Sequence, residues 1–186
     1  MRFRIIFSLF LITSSISLAQ SVNVGVRVES LAYFFKNVIN NTSHEYFLPL
    51  PLCGYLRAGV SYDKYELEMK LGAQLGEVFA GPEYAIEIKY NLVGKIFPLL
   101  AYLNHNNAGD SRISGGSYNN TIEFIGAGVE AKLTKLFGVD LIFYVPVGNS
   151  DLEFANYVGG FTYKRVTSTK ITTMIKLGFI FNINLF

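Results

Sequence analysis

The sequence predicts an all-β protein, an eight-stranded antiparallel up-and-down transmembrane β-barrel with short periplasmic turns and long external loops. Three observations point to this fold class. A secretory leader opens the chain, apolar and polar residues alternate along most of the remaining sequence, and short connections alternate with long ones. Together these features indicate strands that cross a membrane.

Residues 1–19 have the features of a secretory signal peptide. Arg2 and Arg4 precede a short apolar run, and small residues lead up to Ala19. The run is too short for a membrane helix, which needs about 20 apolar residues. We therefore expect cleavage after Ala19 and one barrel domain over residues 20–186.

The chain has a high apolar content, but after residue 19 it has no apolar run long enough for a membrane helix. Hydrophobic residues make up 51% of the chain and the mean hydropathy is +0.32. The single cysteine, Cys53, excludes an internal disulfide and is expected to fill a small space. A formal net charge of +2 gives no indication of a nucleic acid partner. No cluster of His, Cys and Asp has metal-ligand spacing, so we expect no cofactor, and we expect a monomer.

Residues 65–75 show the alternation most clearly. Every second residue is apolar, and Glu66, Glu68 and Lys70 lie between them, which places the two sets on opposite faces of a strand. In a soluble β-sandwich or lipocalin-like barrel, the alternative architecture, the apolar face would pack a core and the charged face would meet water. Seven further segments complete eight strands: 22–30, 52–62, 84–92, 96–104, 125–133, 139–147 and 175–185. Segment 96–104 is apolar on both sides, so its phase stays open.

The connections alternate in length along the chain. Residues 62–64, 92–95 and 133–138 form tight connections, whereas 36–49, 76–82, 104–120 and 148–169 are longer and rich in Asn, Gly and Ser. Outer-membrane barrels have short periplasmic turns and longer external loops. We therefore expect a bacterial outer-membrane protein with both termini on the periplasmic side.

The polar strand faces carry equal numbers of acidic and basic residues. These are Arg27, Glu29, Arg57, Glu66, Glu68, Lys70, Glu87, Lys89, Glu130, Lys132, Asp140 and Lys176. The interior of an eight-stranded barrel is just wide enough for side chains to fill, and buried charges must be paired. We expect these side chains to form one ion-pair network that closes the lumen, with Arg57–Glu68 and Lys132–Asp140 among its pairs.

Aromatic residues flank the short turns. They are Tyr62, Tyr65, Tyr90 and Phe97. Amphipathic rings favour the membrane interface, so we expect these four to form a lipid-facing girdle at the periplasmic boundary.

In this architecture the whole mature chain resembles the small eight-stranded outer-membrane barrels of the outer-membrane protein X and A-barrel type. The last strand, "LGFIFNINLF", ends on the aromatic residue Phe186. The resemblance implies that Phe186 is an assembly signal for the barrel-assembly machinery. Phe186 departs from the usual pattern, because it falls on the face of Asn182 and Asn184 instead of the apolar face.

The sequence predicts a scaffold more clearly than an activity, because function in such proteins lies on loops. The first hypothesis is a closed, non-catalytic barrel surrounded by outer-membrane lipid, whose external loops contact surfaces, partners or lipopolysaccharide. Loop 148–169 carries Phe154, Tyr157, Phe161 and Tyr163 beside Lys164 and Arg165, a set that would suit sugar or lipid headgroups. Packing of these rings on one another or on the membrane rim is the favoured interpretation. The second hypothesis is a narrow small-solute channel, which the balanced charges disfavour.

The third hypothesis is an outer-membrane hydrolase. Small barrels include lipid A deacylases, and "NHNNAGDS" is similar to their His-x-Ser-Asn stretch, but Asn107 stands where the serine should be. Ser111 or Ser114 could reach His105 only through an unusual loop. The chain has one other histidine, His44. We expect His105 to be a solvated rim residue and the protein not to be an enzyme.

Overall fold

A computed structural model of the chain describes residues 20–39, 42–76, 79–111, 116–148, 150–152, 154–158, 161–163 and 169–185. The predicted signal peptide, residues 1–19, and the predicted assembly signal, Phe186, lie outside the described residues. Within the described ranges, no helix is long and apolar enough to cross a membrane.

Eight long antiparallel strands close into a barrel, which confirms the predicted fold class. Each strand from β1 to β6 pairs with the next, β7 pairs with β11, and β11 pairs with β1 to close the ring. Three short strands, β8, β9 and β10, lie outside the ring. The strands are β1 (Ser21–Ile39), β2 (Thr42–Tyr62), β3 (Tyr65–Leu75), β4 (Gly81–Tyr90), β5 (Ile96–Ser111), β6 (Gly116–Lys132), β7 (Phe137–Val147), β8 (Asp151–Leu152), β9 (Phe154–Val158), β10 (Phe161–Tyr163) and β11 (Thr169–Asn184).

The two ends of the barrel differ. At one end short connections join β2 to β3, β4 to β5 and β6 to β7. Asp63, in the first of these, has a φ of 53°, a left-handed conformation that Asp tolerates better than most residues. At the other end β1–β2 and β5–β6 continue as paired hairpins. Most of segments 36–49 and 104–120, expected as loops, is therefore strand, because each half finds its backbone hydrogen bonds in the other.

The alternation seen in residues 65–75 separates an apolar outer face from a charged interior. On β3, Glu66, Glu68 and Lys70 are buried, whereas Leu67 and Leu71 are 41% and 60% exposed on the outside. The same division holds along β4, β6, β7 and β11. The charged face of each strand therefore looks into the barrel.

The structure corrects the expected position of Phe97. Tyr62 and Tyr65 point outward, and Tyr90 is half-buried with its ring centroid 5.2 Å from that of Tyr65. Phe97 instead points into the barrel and is only 6% exposed. The β5–β6 register places it opposite Glu130, on the inner face, where the ammonium of Lys132 lies 4.1 Å from its ring centroid.

The interior near the long hairpins is apolar. Its buried side chains include Tyr33, Phe79, Leu103, Ile122, Phe124 and Met174. Phe79, two residues before β4, is fully buried, and its carbonyl oxygen accepts a hydrogen bond of 2.8 Å from Gln74 Nε2. The lumen thus has a charged zone towards the short turns and an apolar zone towards the hairpins.

Candidate functional site

The charged zone begins with a cluster near the short turns. Lys89 Nζ lies 2.7 Å from Glu68 Oε2 and 2.6 Å from Glu130 Oε2. Arg57 pairs with the same Glu68 carboxylate, the pair expected from the turn register. Gly59 faces Glu68 across the β2–β3 pair, and a Cβ at Gly59 would lie 2.9 Å from Asn23 Oδ1, so glycine leaves room for the Asn23 side chain.

Lys132 closes this layer at the barrel mouth. Its Nζ lies 3.0 Å from Glu66 Oε2, and its side chain is 33% exposed. The expected Lys132–Asp140 pair is wrong, because Asp140 instead accepts from Arg27 Nη2 at 2.6 Å. Lys132 turns towards the mouth while Asp140 turns towards the middle of the lumen, so the two side chains diverge.

The middle layer is centred on Arg27. Its guanidinium contacts three carboxylates, Glu29 at 2.7 Å, Glu87 at 2.9 Å and Asp140 at 2.6 Å. Lys70 Nζ bridges Glu29 at 3.0 Å and Glu87 at 2.6 Å. Two cations therefore hold three carboxylates, and each side chain in this layer is 2% exposed or less.

The upper layer, nearest the hairpin end of the barrel, contains Glu83, a residue that was not predicted from the sequence. Lys176 Nζ lies 2.6 Å from Glu83 Oε2 and 3.3 Å from Glu29 Oε2. Tyr55 donates its hydroxyl hydrogen to Glu83 and accepts from Lys176. Glu83 lies on the same face of β4 as Glu87 and Lys89. It would have been predicted from the alternation if the segment 84–92 had been extended by one residue at its start.

His105 lies in this upper layer and is fully buried, so the expectation of a solvated rim histidine is wrong. Because β5 runs on to Ser111, His105 falls on its inner face. Nδ1 is 2.8 Å from Glu83 Oε1, Nε2 is 3.1 Å from Asn107 Oδ1, and the Phe79 ring stacks at 3.9 Å. The backbone N–H of Ala80 donates to the same Asn107 oxygen at 3.0 Å.

Acidic and basic side chains in the interior are nearly equal in number. All twelve predicted residues lie inside the barrel, eleven of them buried and Lys132 partly exposed at the mouth. With Glu83 added, six basic side chains face seven carboxylates among the described residues, and the imidazole of His105 contacts one of these carboxylates, Glu83. The carboxylates are Glu29, Glu66, Glu68, Glu83, Glu87, Glu130 and Asp140, and the basic side chains are Arg27, Arg57, Lys70, Lys89, Lys132 and Lys176.

The charged side chains of the interior pair with one another and form a plug across the lumen. Within the described part of the chain, no group of His, Cys, Asp and Glu could hold a metal ion. Cys53 is buried at 1% exposure among the apolar residues. The ring nitrogens of His105 contact a carboxylate and an amide. Ser114 and the side chain of Ser111 lie outside the described residues.

The ion-paired side chains come from strands on opposite sides of the barrel and meet in the lumen. Paired charges fill the charged zone of the lumen. No protein-family model and no curated protein matches the chain.

Solved structures similar to the chain include three bacterial proteins. The N-terminal β-barrel domain of Pseudomonas aeruginosa OprF is 18% identical, with 88% of this chain and 100% of that chain covered and a TM-score of 0.47. Neisserial surface protein A is 14% identical, with 85% and 96% covered and a TM-score of 0.35. Ail, the attachment invasion locus protein of Yersinia pestis, is 10% identical, with 87% and 98% covered and a TM-score of 0.41. At these values the strand pairing itself, not the likeness, establishes the barrel fold.

Proposed function

We propose that this protein is an integral barrel of the bacterial outer membrane with a closed lumen, which acts without catalysis through its protruding hairpins. The proposal rests on the distribution of charged and apolar side chains, which is the reverse of that in a soluble protein. Charged side chains are sealed inside, whereas large apolar side chains cover the outside, among them Leu56 at 69%, Leu100 at 66% and Phe179 at 57% exposure.

A membrane is the medium that suits this outer surface. Exposed apolar surface of this extent is unfavourable in water and favourable in lipid. Strands β3, β4 and β7 have 11, 10 and 11 residues, and a tilted transmembrane strand needs about 9–11. Closure of the ring leaves no unpaired strand edge to face the hydrocarbon.

The hairpins are the part of the fold best placed to contact something else. The last β2–β3 pair is Leu52–Leu75, so β2 continues ten residues beyond β3. At roughly 3.3 Å per residue, the β1–β2 hairpin extends about 30 Å past that level. We propose that the hairpins face the cell exterior and contact surfaces, partner proteins or lipopolysaccharide, and that both termini are periplasmic.

The filled lumen supports a barrel that does not conduct ions. Side chains from β1, β2, β3, β4, β6, β7 and β11 meet in the charged zone, and Phe79 fills the space above His105. A channel would need a hydrated path and an unpaired constriction. The imidazole of His105 is enclosed by Glu83, Asn107 and Phe79, which gives a hydrolytic site no support.

Fractionation and conductance test the proposal. The mature protein should sediment with outer membranes and need detergent for extraction; recovery in the soluble periplasmic fraction would contradict the membrane location. In planar bilayers wild type should show no steady conductance, and Glu68→Ala should raise the frequency of openings. Steady conductance in wild type that Glu68→Ala leaves unchanged would favour the small-solute channel instead.

A further inference from the structure

The end of the barrel with the short turns opens into a cavity that the plug leaves free. Its volume is about 640 Å³, within the range of small-molecule sites. The wall is formed by the β4–β5 and β6–β7 turns together with the end of β11. The polar lining includes Lys95, Lys132, Lys135, Asn182, Asn184 and one carboxylate, Glu130, and Gly138 lies beside them.

The local charge around this cavity is positive. The layer beneath it is neutral, since Arg57, Lys89 and Lys132 face Glu66, Glu68 and Glu130. Lys95 and Lys135 are exposed, and neither makes an ion pair with a described residue. Among the described residues they therefore add two positive charges at the opening that no ion pair compensates.

The turn that carries Lys135 is held in place by several hydrogen bonds. Thr134 Oγ1 accepts from the backbone N–H groups of Leu136 and Phe137 at 3.1 and 2.9 Å. The backbone N–H of Asn182 donates to the carbonyl oxygen of Leu136 at 2.8 Å. The turn is thus fixed to β11, and the cavity wall is formed before any ligand arrives.

We propose that this cavity binds an oxyanion, a phosphate or carboxylate group carried by a molecule larger than the bare ion. Lys95 and Lys135 would pair with the anionic group, and the amides of Asn182 and Asn184 provide polar contacts for the remainder. The anionic group could belong to a soluble compound or to a phospholipid headgroup in the surrounding leaflet. The phospholipid source rests on the membrane location proposed above, whereas the soluble source does not.

Nuclear magnetic resonance of the folded protein in neutral maltoside micelles can test this proposal. Inorganic phosphate is titrated in at constant ionic strength, with sodium chloride as the reference salt, and the amide signals of Gly94 and Gly138 report on the cavity. A second arm replaces phosphate with phosphatidylglycerol in nanodiscs, compared with nanodiscs of phosphatidylcholine alone. Saturable shifts at both glycines are expected in at least one arm.

The double variant K95Q/K135Q should weaken that binding at least about tenfold, since two screened ion pairs are lost. Lys64→Gln is the matched control, because Lys64 is exposed on the neighbouring β2–β3 turn and does not line the cavity. Shifts with phosphate identify a soluble oxyanion, and shifts with phosphatidylglycerol alone identify a lipid headgroup. Equal shifts with sodium chloride, no shifts in either arm, or equal weakening by Lys64→Gln would overturn the proposal.

Discussion

Arg27 of β1 and Glu87 of β4 are three strands apart around the barrel wall, yet Arg27 Nη1 lies 2.9 Å from Glu87 Oε1. The contact therefore crosses the lumen and does not follow a single strand pair. Both side chains are fully buried, so each has lost hydration that only its partners replace. Strands that are not neighbours in the sheet, β1 and β4, are thereby connected through the lumen.

Glu87→Gln should destabilise the barrel, because the change keeps the side-chain shape but leaves Arg27 and Lys70 short of one negative charge. Loss of one partner from a buried ion pair costs about 3–5 kcal/mol. The measurement is urea unfolding in detergent or liposomes, followed by far-UV circular dichroism because the chain has no tryptophan. Glu123→Gln, at an exposed carboxylate on β6, is the control and should unfold close to wild type. Equal midpoints for the two variants would contradict a paired interior.

Strand phase and local register could be predicted from the sequence because both follow from short-range rules. Period-two alternation assigns each side chain to a face, and the two-residue turn at Asp63 and Lys64 sets Gly59 opposite Glu68. Arg57 then reaches Glu68 as its diagonal neighbour. These relationships need only one strand pair and its turn.

The partners that cross the lumen could not be predicted in this way. Lys132 was expected to pair with Asp140 on the adjacent strand, but in a narrow barrel a long side chain can reach any wall, and it binds Glu66 of β3. Phe97 lies in a segment that is apolar on both faces, so alternation has no contrast to detect. His105 was placed in a loop because its neighbours are Asn-rich, although strand pairing continues beyond it.

Gly178→Ala should destabilise the barrel from inside, because a Cβ there would lie 2.7 Å from both Arg27 Nε and Asp140 Oδ1. Crowding of this kind in a filled interior costs about 1–3 kcal/mol. Gly54→Ala is a matched control in a strand, since a Cβ at Gly54 meets nothing within 4 Å. Gly178→Ala should have a lower free energy of unfolding than Gly54→Ala. Similar values for the two variants would argue against a tightly filled lumen.

Phe79→Ala should expose His105, because the Phe79 ring covers the imidazole at 3.9 Å. In a His44→Gln background His105 is the single histidine, so its acylation by diethyl pyrocarbonate can be followed directly. We expect very slow modification in the parent and a rate at least about tenfold higher after Phe79→Ala, since modification requires access to the buried ring. Phe47→Ala, on the outer face of the β1–β2 hairpin, should leave the rate unchanged. Rapid modification in the parent would show that Phe79 does not seal the lumen.

Single tryptophans can measure how the barrel sits in a bilayer, because the chain contains none of its own. Tyr65→Trp should lie near the interface, since Tyr65 is 58% exposed beside the β2–β3 turn, and lipids brominated high on the acyl chain should quench it best. Phe143→Trp, at a 52% exposed site midway along β7, should respond most to lipids brominated deep in the chain. Phe97→Trp should resist both, because Phe97 is 6% exposed and faces the lumen. Quenching of Phe97→Trp equal to that of Tyr65→Trp would return Phe97 to the outer girdle, and no quenching at any site would place the protein outside the bilayer.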